Sequence, residues 1–194
     1  MRVKICGITT PQTLTAAVDA GAAYVGFVFF ARSPRHLEIP TATTLAQSVP
    51  AGVCKTALVV DADDAALDSI LESVPIDMIQ LHGDESPERV AQIKDKFGLP
   101  VMKAVGIAHE GDLPALQDYA QAADQILVDA KPSKYANLPG GNGLSFDWRL
   151  IAGRRWATPW MLAGGLTPLN VTEAVRLTGA RQRDVSSGVE TSSG

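Results

Sequence analysis

Val3-Lys4-Ile5-Cys6-Gly7-Ile8-Thr9-Thr10-Pro11 contains a strand, a turn and the start of a helix in one short stretch. Lys4 and Cys6 alternate with apolar Val3 and Ile5, the two-residue period that places both on one face of a β-strand. Gly7 ends the run. Thr10-Pro11 then supplies a hydroxyl to cap a free backbone N–H and a proline where no N–H is needed. In parallel α/β folds ligands bind at the carboxyl ends of strands, so a thiol in that position reads as a candidate catalytic group. Lys4 and the N–H groups of the following loop are expected to favour the anion of Cys6, whose ordinary pKa is about 8.5.

The same unit recurs along the chain. Short apolar runs predict strands over Val3–Cys6, Tyr24–Phe29, Lys55–Val60, Met78–Leu81, Val101–Val105, Gln125–Val128, Trp160–Ala163 and Arg183–Val185. Helical spacing separates most of them, as in Leu14, Ala17, Val18, then Leu67, Ile70, Leu71, Val74, then Val90, Ile93, Phe97, then Val171, Ala174, Val175. Ser86-Pro87 and Thr167-Pro168 repeat the helix-start signal of Thr10-Pro11. Eight strand–helix units spaced roughly 20 to 35 residues apart predict an α/β fold, a single (β/α)8 TIM barrel over residues 1–194. An open doubly wound sheet is the competitor, but it usually carries a Gly-rich turn after its first strand, which Gly7 alone does not supply. After Val185 only a short loop precedes Gly194, so the pattern predicts a longer natural chain with a further amphipathic C-terminal helix.

With 194 residues and a net charge of −4, the chain has room for a sizeable core and no basic run to attract nucleic acid. No apolar stretch is long enough for a membrane span, and a charge at residue 4 with a glycine at 7 does not resemble a signal peptide. Cys6 and Cys54 alone make a disulfide framework improbable and point to a reducing, cytoplasmic setting. Cys54 lies near the start of its strand and reads as core.

Other candidates lie at strand ends. Asp129 follows Ile126-Leu127-Val128, where partial desolvation suits a general acid, although Asp61 follows Leu58-Val59-Val60 in the same way and position does not choose between them. Leu162-Ala163-Gly164-Gly165-Leu166 and Asp184-Val185-Ser186-Ser187-Gly188-Val189-Glu190 leave the seventh and eighth strands, whose loops often bind phosphate in barrels. Pro139-Gly140-Gly141-Asn142-Gly143 is a third glycine cluster, placed to close over a ligand. Arg35 has a fork suited to a carboxylate, and His82 follows Gln80-Leu81 at the end of the fourth strand. His36 and His109 have no partner at metal-ligand spacing, and no metal site is inferred.

Taken in order, Lys4 to Thr9, Ser33-Pro34-Arg35, Gln80-Leu81-His82-Gly83, Val128-Asp129, the Gly140–Gly143 loop with Phe146-Asp147-Trp148, Ala163-Gly164-Gly165-Leu166 and Asp184–Glu190 resemble the phosphoribosylanthranilate isomerase family of tryptophan biosynthesis. The resemblance implies a (β/α)8 barrel that performs an Amadori rearrangement on a small phosphorylated substrate, without a cofactor, as a monomer or homodimer. It implies that Asp129 is the general acid and Cys6 the general base. It also implies that Arg35 lies near the anthranilate carboxylate, that Gly141, Gly164, Gly165, Ser187 and Gly188 cradle the phosphate, and that His82 and Asp184 line the same mouth. Because Lys4 opposes protonation of a nearby carboxylate, Asp129 is expected farther from Lys4 than Cys6 is. Asn142 stands where the family usually has Thr or Ser, and Leu144 where relatives are often basic. Two other sugar-phosphate barrels fit less well, since a ribulose-phosphate epimerase needs metal-binding His and Asp residues and an indole-glycerol-phosphate synthase a lysine-centred pair. A phosphate-binding barrel without activity is the non-enzyme alternative, and Cys6, Asp129 and Arg35 speak against it.

Overall fold

The computed structural model describes residues 1–132, 138–141 and 143–191. Eight parallel strands close into a barrel in which each strand pairs with its neighbours in sequence and β8 returns to β1. They are β1 (Arg2–Cys6), β2 (Tyr24–Phe29), β3 (Cys54–Val59), β4 (Met78–Leu81), β5 (Val101–Ile107), β6 (Gln125–Ala130), β7 (Trp160–Leu162) and β8 (Gln182–Val185). The expected strands are all present; β2 and β4 match end to end, and the others differ by one or two residues at one or both ends. The α-helices are α1 (Pro11–Asp19), α2 (Ile39–Gln47), α3 (Asp64–Ser73), α4 (Pro87–Phe97), α5 (Leu113–Ala122) and α6 (Val171–Thr178). After β6 the connection holds a 3-10 turn at Trp148–Ile151, and after β8 another at Ser187–Val189.

Alternation along the strands sorts the core into layers. Val25, Phe27, Ile79, Leu81 and Val128 belong to the large cluster that includes helix residues such as Leu14, Leu67, Val90 and Leu116. Tyr24, Met78, Met102, Leu127 and Met161 form a second cluster inside the barrel. Above it lies a polar layer that includes Lys4, Thr56 and Gln80, each fully buried.

Two of the three proline-marked helix starts behave as the sequence indicates. Thr10 Oγ1 accepts from Thr13 N–H at 3.1 Å, and Ser86 Oγ from Arg89 N–H at 3.3 Å. The third is corrected. α6 begins at Val171, and Thr167-Pro168 sits in a preceding turn in which Thr167 N–H donates to Asn170 Oδ1 at 2.8 Å. The Asn170 side chain competes for the backbone there and delays the helix.

Candidate active site

Cys6 ends β1 with its side chain 6% exposed, and the backbone around it is shaped to fit. Gly7 has a φ of +88°, which glycine adopts without strain, and a side chain there would collide with Arg35. On β2, Gly26 leaves room for sulfur: a Cβ at that position would lie 2.8 Å from Cys6 Sγ. The loop N–H groups do not serve the thiol as expected. Gly7 and Ile8 both donate to the Gly26 carbonyl, at 2.9 and 3.0 Å.

Lys4 acts on Cys6 in the expected direction, favouring the anion, but it does not act alone. Its Nζ is 2.9 Å from Asp184 Oδ1 in a pair whose lysine is fully buried. Burial opposes the Lys4 charge, but Asp184 and then Cys6 outweigh it and hold the ammonium above its ordinary value. Burial is the largest influence on Cys6 and pushes the thiol up. Lys4 pulls it down, Asp184 pushes it up again, and Arg35 assists Lys4 weakly. The net direction is upward: burial and Asp184 together outweigh Lys4 and Arg35.

Asp129 lies within β6 rather than just beyond it, 8% exposed. Its Oδ1 accepts from Ala130 N–H at 2.7 Å, and its Oδ2 is 3.2 Å from His82 Nε2. His82 Nδ1 is in turn 2.9 Å from Gln80 Nε2. Asp129 thus has His82 as its polar side-chain partner, whereas the side chains acting on Lys4 are Asp184 and Cys6. Asp61, the rival by position, is turned elsewhere: its φ is +49° and its Oδ1 accepts from Asp84 N–H at 2.7 Å, bracing the loop after β4.

Apart from Asp61, the candidate site residues converge on one cavity of about 830 Å³, counting space open to solvent, at the carboxyl ends of the strands. Cys6 enters it from β1, His82 from the end of β4, Asp129 from β6 and Asp184 from β8. Arg35, Gly141, Gly164, Gly165, Ser187 and Gly188 reach it from the loops after β2, β6, β7 and β8. Gly188 sits against the Leu166 carbonyl, so the loops after β7 and β8 are in direct contact. Gly140 packs on His82 and Asp129, since a Cβ there would lie 2.5 Å from His82 Nε2 and 3.1 Å from Asp129 Oδ2. Asn142 lies outside the described residues, and Leu144 is half-exposed at the rim.

Sequence reasoning missed two features. Val28 and Leu58, on β2 and β3, form an apolar patch with Cys6, Phe30 and Val60, and their ordinary strand context gave no functional signal. Arg35 is engaged by Glu190, with Nε and Nη2 donating to the two carboxylate oxygens at 2.6 Å each. That partner is 155 residues away in sequence, and only its place at the end of the Asp184–Glu190 segment marked it. Nη1 of Arg35 faces Gly141. Cys54 is remote from all of this, partly buried beside Tyr24 and Met78. His36 pairs with Glu38, and His109 caps the short turn after β5. Among the described residues no group of His, Cys, Asp and Glu is arranged to hold a metal ion, and no helix is long and apolar enough to cross a membrane.

Comparison with known proteins agrees with this geometry. Residues 3–194 match the family described as N-(5'phosphoribosyl)anthranilate (PRA) isomerase. The chain belongs to the phosphoribosylanthranilate isomerase family. The N-(5'-phosphoribosyl)anthranilate isomerase of Cereibacter sphaeroides is 65% identical over 100% of this chain and 92% of its own length. The crystal structure of the Thermotoga maritima phosphoribosyl anthranilate isomerase superposes with a TM-score of 0.89 at 34% identity, covering 100% of this chain and 91% of that one. A further isomerase structure, at a TM-score of 0.84 and 32% identity over 100% and 91% of the two chains, is a complex with reduced 1-(o-carboxyphenylamino)-1-deoxyribulose 5-phosphate. The barrel and the isomerase class expected from the resemblance therefore hold for this chain.

Proposed function

We propose that this isomerase converts N-(5-phosphoribosyl)anthranilate to 1-(2-carboxyphenylamino)-1-deoxyribulose 5-phosphate in tryptophan biosynthesis, with Asp129 as general acid and Cys6 as general base. The observation that carries the reading is the convergence of a carboxyl from β6 and a thiol from β1 on one cavity. The chemistry needs those two groups and little else. Asp129 gives a proton to the furanose ring oxygen, the C1′–O bond breaks, and the anilino nitrogen lone pair forms a C=N bond. The Cys6 thiolate then takes the proton from C2′, the C–H electrons form the C1′=C2′ bond as the C=N pair returns to nitrogen, and the enolamine tautomerises to the ketone. C1′ is reduced as C2′ is oxidised, so the electron balance closes within the substrate.

The surroundings support this division. The contacting loops after β7 and β8 suit a phosphate, and the patch of Val28, Leu58, Phe30 and Val60 suits an aromatic ring. Arg35 is the nearby cation for the ring carboxylate. Because Glu190 occupies two of its donors, Nη1 is the donor left to face the cavity. Cys6 must be deprotonated to act as a base, and Lys4 is the neighbour that pulls its pKa down against burial and Asp184.

A fluorescence assay that follows loss of the anthranilate substrate tests the reading. Wild-type protein should consume it, and Cys6→Ala and Asp129→Asn should each lose about 10²- to 10⁴-fold in turnover while still binding phosphate. Near-wild-type turnover in either variant removes the role assigned to that residue.

A further inference from the structure

Gln80 has no part in the reaction as written, yet it is fully buried on β4 with its amide Nε2 2.9 Å from His82 Nδ1. Its other amide atom, Oε1, is buried with no hydrogen-bond partner. Rotating the amide by half a turn would point the oxygen at His82 and leave a buried NH2 with its donors unmet instead. A single orphaned carbonyl oxygen is the less costly arrangement, because unpaired buried N–H groups are the rarer of the two. The amide N–H therefore points at Nδ1, which must accept, and the ring proton is left on Nε2. That proton faces Asp129 Oδ2, which lies 3.2 Å from Nε2.

We propose that Gln80 is a positioning residue that holds His82 in its Nε2–H tautomer, so that His82 donates a hydrogen bond to Asp129. The inference rests on Asp129 being the acid. As Asp129 gives up its proton to the ring oxygen, negative charge develops on its carboxylate, and a hydrogen bond to an ionised acceptor is stronger than one to a neutral acid. The His82 N–H is thus worth more in the transition state than before it, which is the condition for an interaction to raise kcat rather than only to tighten binding. Ala130 N–H, on Oδ1 at 2.7 Å, acts in the same sense from the other oxygen. Gly140 packs against the pair and keeps the imidazole in place.

The chain has three histidines, His36, His82 and His109, so nitrogen-15 NMR of the ring nitrogens can be assigned to His82 directly. In wild-type protein Nδ1 should be unprotonated and Nε2 protonated at neutral pH. In Gln80→Glu the carboxylate can only accept, and Nδ1 should become protonated. In Gln80→Met the tautomer should no longer be fixed, and kcat should fall at least about tenfold with KM unchanged. If the Glu variant fails to fold, the Met variant carries the test alone. A protonated Nδ1 in the wild type, or a Met variant with an unaltered His82 spectrum and unaltered kcat, overturns the proposal. Failure of the acid assignment is separate: it appears as an active Asp129→Asn protein and leaves the His82 spectrum as it was.

Discussion

In the proposed reaction Cys6 and Asp129 move protons in opposite directions, and their neighbourhoods differ. Cys6 is buried beside an ion pair, Lys4–Asp184, in which the lysine is already engaged, and burial lifts the thiol above its ordinary range. In a Cys54→Ser background, alkylation by iodoacetamide should be slow at neutral pH and continue to accelerate beyond about pH 8.5, the ordinary thiol value. A reaction rate that levels off below that pH would mean that Lys4 dominates after all. The position of Cys6 at a strand end was legible because a period of two followed by glycine leaves little freedom. Its protonation was not legible, because it depends on Asp184, which is 180 residues from Lys4 in sequence and its neighbour only after β8 meets β1. Asp129 and Asp61 present the same problem: each follows three apolar residues, and only the backbone turn at Asp61 separates them.

Between the elements, a second buried pair fixes the loop that carries His82. Lys103 on β5 lies 3.0 Å from Glu85, both almost fully buried, and its Nζ also donates to the Gly83 carbonyl at 2.7 Å. Glu85 in turn accepts from Asp61 N–H at 2.9 Å and from Gly83 N–H at 3.0 Å. Lys103→Met leaves a buried carboxylate without its counter-charge and should destabilise the protein by about 3–5 kcal/mol in urea unfolding. Pairing it with Glu85→Gln should recover much of that loss, and an undiminished penalty in the double variant would show that packing rather than charge is at stake. After β5 the turn at Asp112 provides a pH signature. Burial opposes its charge, but Lys131 and the N–H groups of Ala108 and His109 outweigh burial and hold the carboxyl below its ordinary value. A depressed carboxyl contributes stability above its unfolded pKa of about 3.9 and loses it as pH falls through the lower folded value. Unfolding curves of wild type and Asp112→Asn should therefore differ at pH 6 and converge toward pH 2. Curves that stay parallel across that range contradict the assignment. Helix starts were legible where a hydroxyl and proline stand alone, as at Thr10 and Ser86, and were misread at Thr167 because Asn170 captures the backbone first.

At the scale of the molecule, the barrel follows from repetition: eight apolar strands in sequence order can bury both faces by closing on themselves, with helices outside and side chains within. Closure gathers residues from β1, β4, β6 and β8 at one mouth, although no two of those strands except β1 and β8 are neighbours. That gathering was legible because every one of those residues sits at a carboxyl-terminal strand end or in the loop that follows one. The Arg35–Glu190 pair and the apolar patch around Val28 and Leu58 were not, since each joins side chains whose sequence context is ordinary. The most direct test of the whole account is a crystal structure of this protein with the reduced product analogue bound. The phosphate should rest on the backbone of Gly164, Gly165, Ser187 and Gly188, with Cys6 and Asp129 each within about 3–3.5 Å of the atom it serves on the sugar chain. A phosphate seated elsewhere, or a sugar chain beyond reach of either group, would contradict it.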